Sequence, residues 1–220
     1  MKLNLGCGRD TKKDFINVDS YERENKLDVI ADLTKKFPFD SDSCEYIYAE
    51  QLIEHFTWLD GFYFLKECYR CLKHKGILRL VLPDYHKIFD KYLKGDQEFF
   101  KVFFDGLNNY DYPYYAEVYT DPERVRERRK DNPPPEWHLS QRKEDRERLS
   151  LRVRPYNHLI EVVHWFTHQY GEHKTLYDFE SLSDLLDGIG FKENYETDRR
   201  EIDSTLPTRI TCSLYIEAIK

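Results

Sequence analysis

Within residues 2–84, five short apolar segments (KLNL, FINVD, DVIAD, CEYIYAE and ILRLVLPD) follow one another, the pattern of a parallel sheet with helices on its faces. The connection between the last two is helical, since LDGFYFLKECYRCLKHKG places Phe62, Leu65, Tyr69 and Leu72 at helical spacing and stops at a Lys-Gly C-cap signal. The first connection is different. Only RDTKKDFI separates Gly8 from the next strand core, too few residues for a three-turn helix, so a single turn or a loop is expected. Beyond Asp84, HKIFDKYLKG, LIEVVHWFTHQYG and SLSDLLDGIG read as helices, and FKENYET and TCSLYIEAIK as two closing strands antiparallel to each other. The expected fold class is α/β, a doubly wound sheet of seven strands with an antiparallel closing strand and a large helical insertion. Its parts are residues 1–84, an insertion over 85–178, and a closing helix and strands over 179–220.

A chain of 220 residues can bury one full core, and two independent domains would be cramped. The net charge of −7 offers no long-range attraction for phosphate backbones, so nucleic acid is not an expected partner. The start, MKLNLGCG, has no apolar run long enough for a signal peptide, and Arg79 interrupts ILRLVLP, so a soluble, cytoplasmic protein without a membrane segment is expected. Five cysteines without a framework spacing fit a reducing compartment. Cys68 and Cys71 form a C-x-x-C inside a helical pattern, with no second pair to complete a zinc site, and are expected to pack.

The turn after the first strand, G-C-G, carries two glycines that let the backbone pass close to a ligand. The next strand ends in Asp19, where a carboxylate can accept hydrogen bonds from both hydroxyls of a ribose, each worth about 1.5–3 kcal/mol. A dinucleotide site needs G-x-G-x-x-G, but Thr11 stands at the third position. A ligand with ribose and adenine but no pyrophosphate asks less of the turn.

LNLGCG, INVDS, ADLTKKFPFDSDSCEYIYAEQLIEHF, the helix with KECYRCLKHKG, and ILRLVLPD together resemble the successive motifs of class I S-adenosylmethionine-dependent methyltransferases. The likeness is to compact, type-11-like members that modify small molecules and cell-surface sugars, and it extends to the closing stretch from HKTLYDFESLSDLLDGIGF to SLYIEAIK. It implies a Rossmann-like fold and S-adenosyl-L-methionine as cofactor. By resemblance, Gly6, Cys7 and Gly8 face the methionine part, Asp19 and Ser20 hold the ribose, and Asp32 and Leu33 flank the adenine. Glu50 and Gln51 lie under the methionine end, with Glu54 and His55 opening the next helix. Glu50 stands where the family commonly has a small polar residue, and Lys73-His74-Lys75-Gly76 replaces its usual Lys-Pro-Gly-Gly turn.

Methyl transfer requires alignment, exclusion of water and, for a hydroxyl acceptor, removal of a proton. His55 and Asp84 are the expected catalytic residues, with His86 behind them. His164 and His168 in HWFTH stand at i and i+4, with His173 nearby, but the glutamate of H-E-x-x-H is missing and no metal is expected. The insertion is the expected substrate lid: NNYDYPYY could line an aromatic pocket, PERVRERRK and QRKEDRERLSLRVR alternate charges as solvated helix faces do, and PPP with Trp137 is a rigid elbow or a homodimer contact. The expected function is methylation of an oxygen or nitrogen of a small molecule or glycan. The alternatives are methylation of RNA or protein, or a catalytically silent cofactor-binding scaffold.

Overall fold

The computed structural model describes residues 1–22, 26–106, 159–168 and 172–220. NNYDYPYY, PERVRERRK, PPP with Trp137 and QRKEDRERLSLRVR lie outside the described residues. The chain divides into two compact units, one of Met1–Lys94 with Val163–Lys220 and one of Gly95–Val162. Residues 85–94 and 163–178, expected within the insertion, thus fall in the first unit.

The first unit is built on a seven-stranded sheet of order β3-β2-β1-β4-β5-β7-β6. β1 (Lys2–Leu5), β2 (Ile16–Asp19), β3 (Val29–Ile30), β4 (Cys44–Glu50) and β5 (Leu72–Pro83) run parallel. β6 (Glu193–Glu196) and β7 (Ser213–Ile219) pair antiparallel, and β7 is also antiparallel to β5. These are the strands, and the antiparallel closure, that the sequence predicts. The helices are α1 (Trp58–Cys71), α2 (Tyr85–Leu93), α3 (Gln97–Gly106), α4 (Leu159–His168), α5 (Phe179–Ile189) and α6 (Pro207–Cys212). Among the described residues no helix is long and apolar enough to cross a membrane.

Strand alternation sorts side chains onto two unlike faces. Leu3, Leu5, Ile47, Ala49, Leu78, Leu80, Leu82, Leu214, Ile216 and Ala218 form one, in a core shared with Phe64, Leu65, Cys68 and Cys71 of α1 and Leu182 and Leu186 of α5. Each fully buried large aliphatic there contributes about 1.5–3 kcal/mol. The other face carries a polar row in register across six strands: Asn17, Asn4, Tyr48, Arg79, Glu217 and Tyr195. Arg79 is wholly buried. Its Nε donates to Asp203 Oδ1 at 2.9 Å, Nη2 to Asp203 Oδ2 and, at 3.0 Å, to the Asp198 carbonyl, while Nη1 reaches Glu217 at 3.4 Å. The charge that interrupts ILRLVLP is therefore an internal anchor for the segment ahead of α6.

The first connection is a loop held by the asparagines of LNL and INVD. Asn4 Nδ2 donates to the Asp10 carbonyl and to Asn17 Oδ1, both at 2.9 Å, and Asn17 Oδ1 also accepts from the Lys12 amide at 2.7 Å. Asp28 accepts from the Asn17 amide at 2.8 Å and from its Nδ2 at 3.1 Å. Side-chain amides thus satisfy backbone groups that a helix would have satisfied.

The expected C-cap at Lys75-Gly76 is not used. α1 stops at Cys71, and Lys73 to Gly76 already lie in β5. The amides of Asp42 and Ser43 donate to the carbonyls of Arg70 and Cys71 at 3.0 and 2.9 Å, so the last turn is satisfied without a left-handed glycine. Gly76 serves close approach instead: a Cβ there would stand 2.9 Å from the Lys73 carbonyl and 3.2 Å from that of Cys44. Gly190, by contrast, caps α5 at φ 118°. In the second unit, Asp96 accepts from the Phe99 amide at 2.9 Å, and the rings of Phe99, Phe100 and Phe103 pack together on α3.

Candidate active site

Five parallel strands deliver their carboxyl ends to one edge of the sheet, the edge where open α/β sheets bind ligands. Gly6 and Gly8 follow β1 with φ of 65° and 54°, both left-handed. The amides of Gly6 and Cys7 donate to the Val18 carbonyl at 2.8 and 3.2 Å, which draws the turn over the end of β2. Gly8 N then donates to Asp19 Oδ2 at 2.7 Å, and Ser20 N to Oδ1 at 2.6 Å. A Cβ on Gly8 would meet no atom within 4 Å, whereas one on Gly6 would stand 2.6 Å from Leu52 Cδ1. The Cys7 thiol is pushed up to about 11 by burial and then by the Asp19 charge, so it is a thiol at neutral pH.

Asp32 is exposed and accepts from the amide and hydroxyl of Thr34 at 2.9 and 2.7 Å, bonds that hold its carboxyl below the usual range. The Leu33 side chain lies in the hydrophobic core. Glu50, at the tip of β4, is buried and held: it accepts from Tyr48 Oη at 2.6 Å, the Ser204 amide at 3.3 Å and Arg209 Nη1 at 3.2 Å. Gln51 turns the chain at φ 52° while its amide donates to the Val81 carbonyl at 2.8 Å. Its side-chain Nε2 is buried and has no hydrogen-bond partner among the described residues.

A 3₁₀ turn, Ile53–His55, follows. His55 stacks edge-on against His173 with ring centres 4.9 Å apart, and its Nδ1 lies 3.2 Å from the Glu172 carbonyl. His173 Nδ1 lies 2.6 Å from the Phe166 carbonyl and 2.9 Å from Tyr85 Oη. Burial pulls His173 down to about 4, and burial pushes the Glu54 carboxyl up to about 8. Asp84 caps α2, accepting from the Lys87 amide at 2.9 Å. Beyond Tyr85 opens a cavity of ≈ 500 Å³ walled by Trp58, Tyr85, Phe89, Leu176 and Tyr177, with His86, Asp90 and Asp178 as polar groups.

The structure brings Gly8, Asp19 and Ser20 together, and sets His55 beside His173. His164 and His168 stack on each other at 4.5 Å along α4, while His173 leaves that pair for His55. No local spacing signals the pairing of His173 with His55 and Tyr85, because the partners come from three separate elements.

A glycine turn after β1, an acid at the tip of β2 and a seven-stranded sheet with an antiparallel β7 define a Rossmann-like α/β fold. Residues 4–80 match a family model described as a methyltransferase domain. No curated protein matches the sequence significantly. Similar solved structures include an S-adenosylmethionine-dependent methyltransferase from Archaeoglobus fulgidus, 14% identical over 100% of this chain and 85% of that one, with TM-score 0.48. Others are one from Thermotoga maritima (13%, 100% and 81%, TM-score 0.46) and one from Aquifex aeolicus (9%, 99% and 80%, TM-score 0.45).

Proposed function

We propose that the protein methylates an oxygen or nitrogen of a small molecule or glycan. The observation that carries this is the aromatic-walled cavity of ≈ 500 Å³ at the carboxyl edge, a volume suited to a small acceptor. Tyr85 belongs to that wall and connects it, through His173, to His55.

The residues at the glycine turn fit the cofactor. Gly8 faces open space, Gln51 Nε2 is a buried donor lacking an acceptor, and Asp19 keeps lone pairs beyond those used by Gly8 and Ser20. When bound, S-adenosylmethionine supplies an electrophilic methyl carbon on its sulfonium sulfur. Asp19, with Ser20 beside it, would hold the ribose hydroxyls. Asp32 would accept from the adenine amino group, with the Leu33 backbone alongside. Gly6, Cys7 and Gln51 would hold the methionine end. Glu50, already paired with Arg209, would shape the tip of β4. His55 would border the acceptor and suit proton removal better than Asp84, whose carboxylate is engaged as a helix cap.

The test is titration of the chain with S-adenosylhomocysteine, followed by incubation of extract fractions with methyl-labelled donor. Label entering low-mass or glycan fractions supports the reading. Label entering protein or RNA, or no binding of the cofactor product, overturns it.

A further inference from the structure

Glu54, His55 and His173 each bring one ligand atom to a common point, all within 4.8 Å of one another. Glu54 is 0% exposed, and among the described residues neither carboxylate oxygen has a hydrogen-bond partner. A buried carboxyl with no donor is costly, and native proteins seldom keep one without a purpose. His173 is 8% exposed and its Nε2 is likewise buried without a partner.

The outer ring nitrogens explain which atoms face inward. A carbonyl can only accept, so His173 Nδ1, 2.6 Å from the Phe166 carbonyl, carries the proton and donates it. Tyr85 Oη gives its own hydrogen to the same carbonyl at 3.0 Å and can accept from Nδ1 at 2.9 Å. Nε2 of His173 is therefore a bare lone pair. The same logic at His55, whose Nδ1 lies 3.2 Å from the Glu172 carbonyl, makes its Nε2 an acceptor too. Imidazoles whose outer N–H is tied to a carbonyl are the arrangement that metal-binding histidines adopt. The scaffold is fixed independently, since the amides of Lys174 and Thr175 donate to the Glu54 carbonyl at 2.8 and 3.2 Å.

We propose that Glu54, His55 and His173 bind a divalent transition-metal ion of the zinc type. Two imidazoles and one carboxylate favour such an ion over calcium or magnesium, which take oxygen ligands. Bonds of about 2.0–2.2 Å place tetrahedral ligands about 3.3 Å apart, so the three side chains close inward on the ion. Three protein ligands leave a fourth position for water or for an oxygen or nitrogen of the acceptor. The inference rests on the proposed function and replaces one part of it: with the ion in place, His55 would hold the metal instead of serving as the base, and the metal would polarise the acceptor.

The test uses the full chain, stripped with chelator and titrated with zinc chloride, then with cobalt(II) as a spectroscopic stand-in. One equivalent of zinc per chain is expected, with a tetrahedral cobalt d–d spectrum lacking any thiolate charge-transfer band. Glu54→Gln, which keeps the side-chain shape, and His55→Ala should each weaken zinc binding by more than the about 10–100-fold that loss of an outer-shell partner causes. His164→Ala should bind as the parent does. No stoichiometric uptake, a thiolate band from the buried cysteines, undiminished binding in both ligand variants, or loss of binding in His164→Ala overturns the proposal. If a ligand variant fails to fold, the cobalt spectrum of the parent chain decides.

Discussion

The Gly8 amide and the Asp19 carboxylate are joined across 2.7 Å, so the turn after β1 and the tip of β2 form one rigid corner. Asp19→Ala removes that acceptor and any ribose contact together. S-adenosylhomocysteine affinity should fall about 10–150-fold, the equivalent of one charge-assisted hydrogen bond. Asp19→Asn, which keeps one acceptor oxygen, should lose less. Calorimetric titration of folded variants checks both.

Gly6 and Gly8 share a left-handed backbone but not a neighbourhood. Gly8→Ala meets open space and should cost only the backbone term, about 1–2 kcal/mol. Gly6→Ala adds a methyl 2.6 Å from Leu52 and should cost more. Trimming Leu52 to alanine should relieve that extra part in the double variant. Urea midpoints across the cycle give the coupling.

Arg79 is the charge on which the polar face depends. Asp203→Ala leaves its guanidinium buried with its two bonds to that carboxylate gone, and stability should fall by about 3–5 kcal/mol. Replacing Arg79 and Asp203 together with apolar residues should recover most of the loss. Urea denaturation of the single and double variants distinguishes a structural ion pair from a dispensable one.

Asp178 opens α5 with a reciprocal cap, accepting from the Ser181 amide at 2.9 Å and its hydroxyl at 2.6 Å, which holds its carboxyl below the ordinary value of 3.8. A depressed folded pKa means that the unfolded chain binds the proton more readily, so this stability is present above 3.8 and is lost as pH falls through the folded value. Asp178→Ala should therefore cost about 1 kcal/mol at neutral pH and progressively less in acid. Thermal melts of both proteins from pH 7 to pH 3 measure the difference.

Much of the fold is legible locally. Short apolar runs in CEYIYAE and ILRLVLPD mark β4 and β5, the glycine closing SLSDLLDGIG marks the end of α5, and the short RDTKKDFI announces a connection without a three-turn helix. The end of α1 is not legible, because the amides that satisfy Arg70 and Cys71 come from residues 42 and 43. For the site, G-C-G and Asp19 could be paired from spacing, since a turn and the next strand tip are close along the chain. The partners of Glu50 could not, because Arg209 arrives from the far end of the chain.

The succession of strands along the chain, the glycine corner and the acidic strand tip follow from short-range pattern, because apolar runs and left-handed turns are properties of a few consecutive residues. The His55–His173 contact, the buried Glu54 beside them and the polar row from Asn17 to Tyr195 belong to tertiary structure alone. Sheet register and the docking of remote segments set which side chains meet, and no spacing within one element encodes that choice.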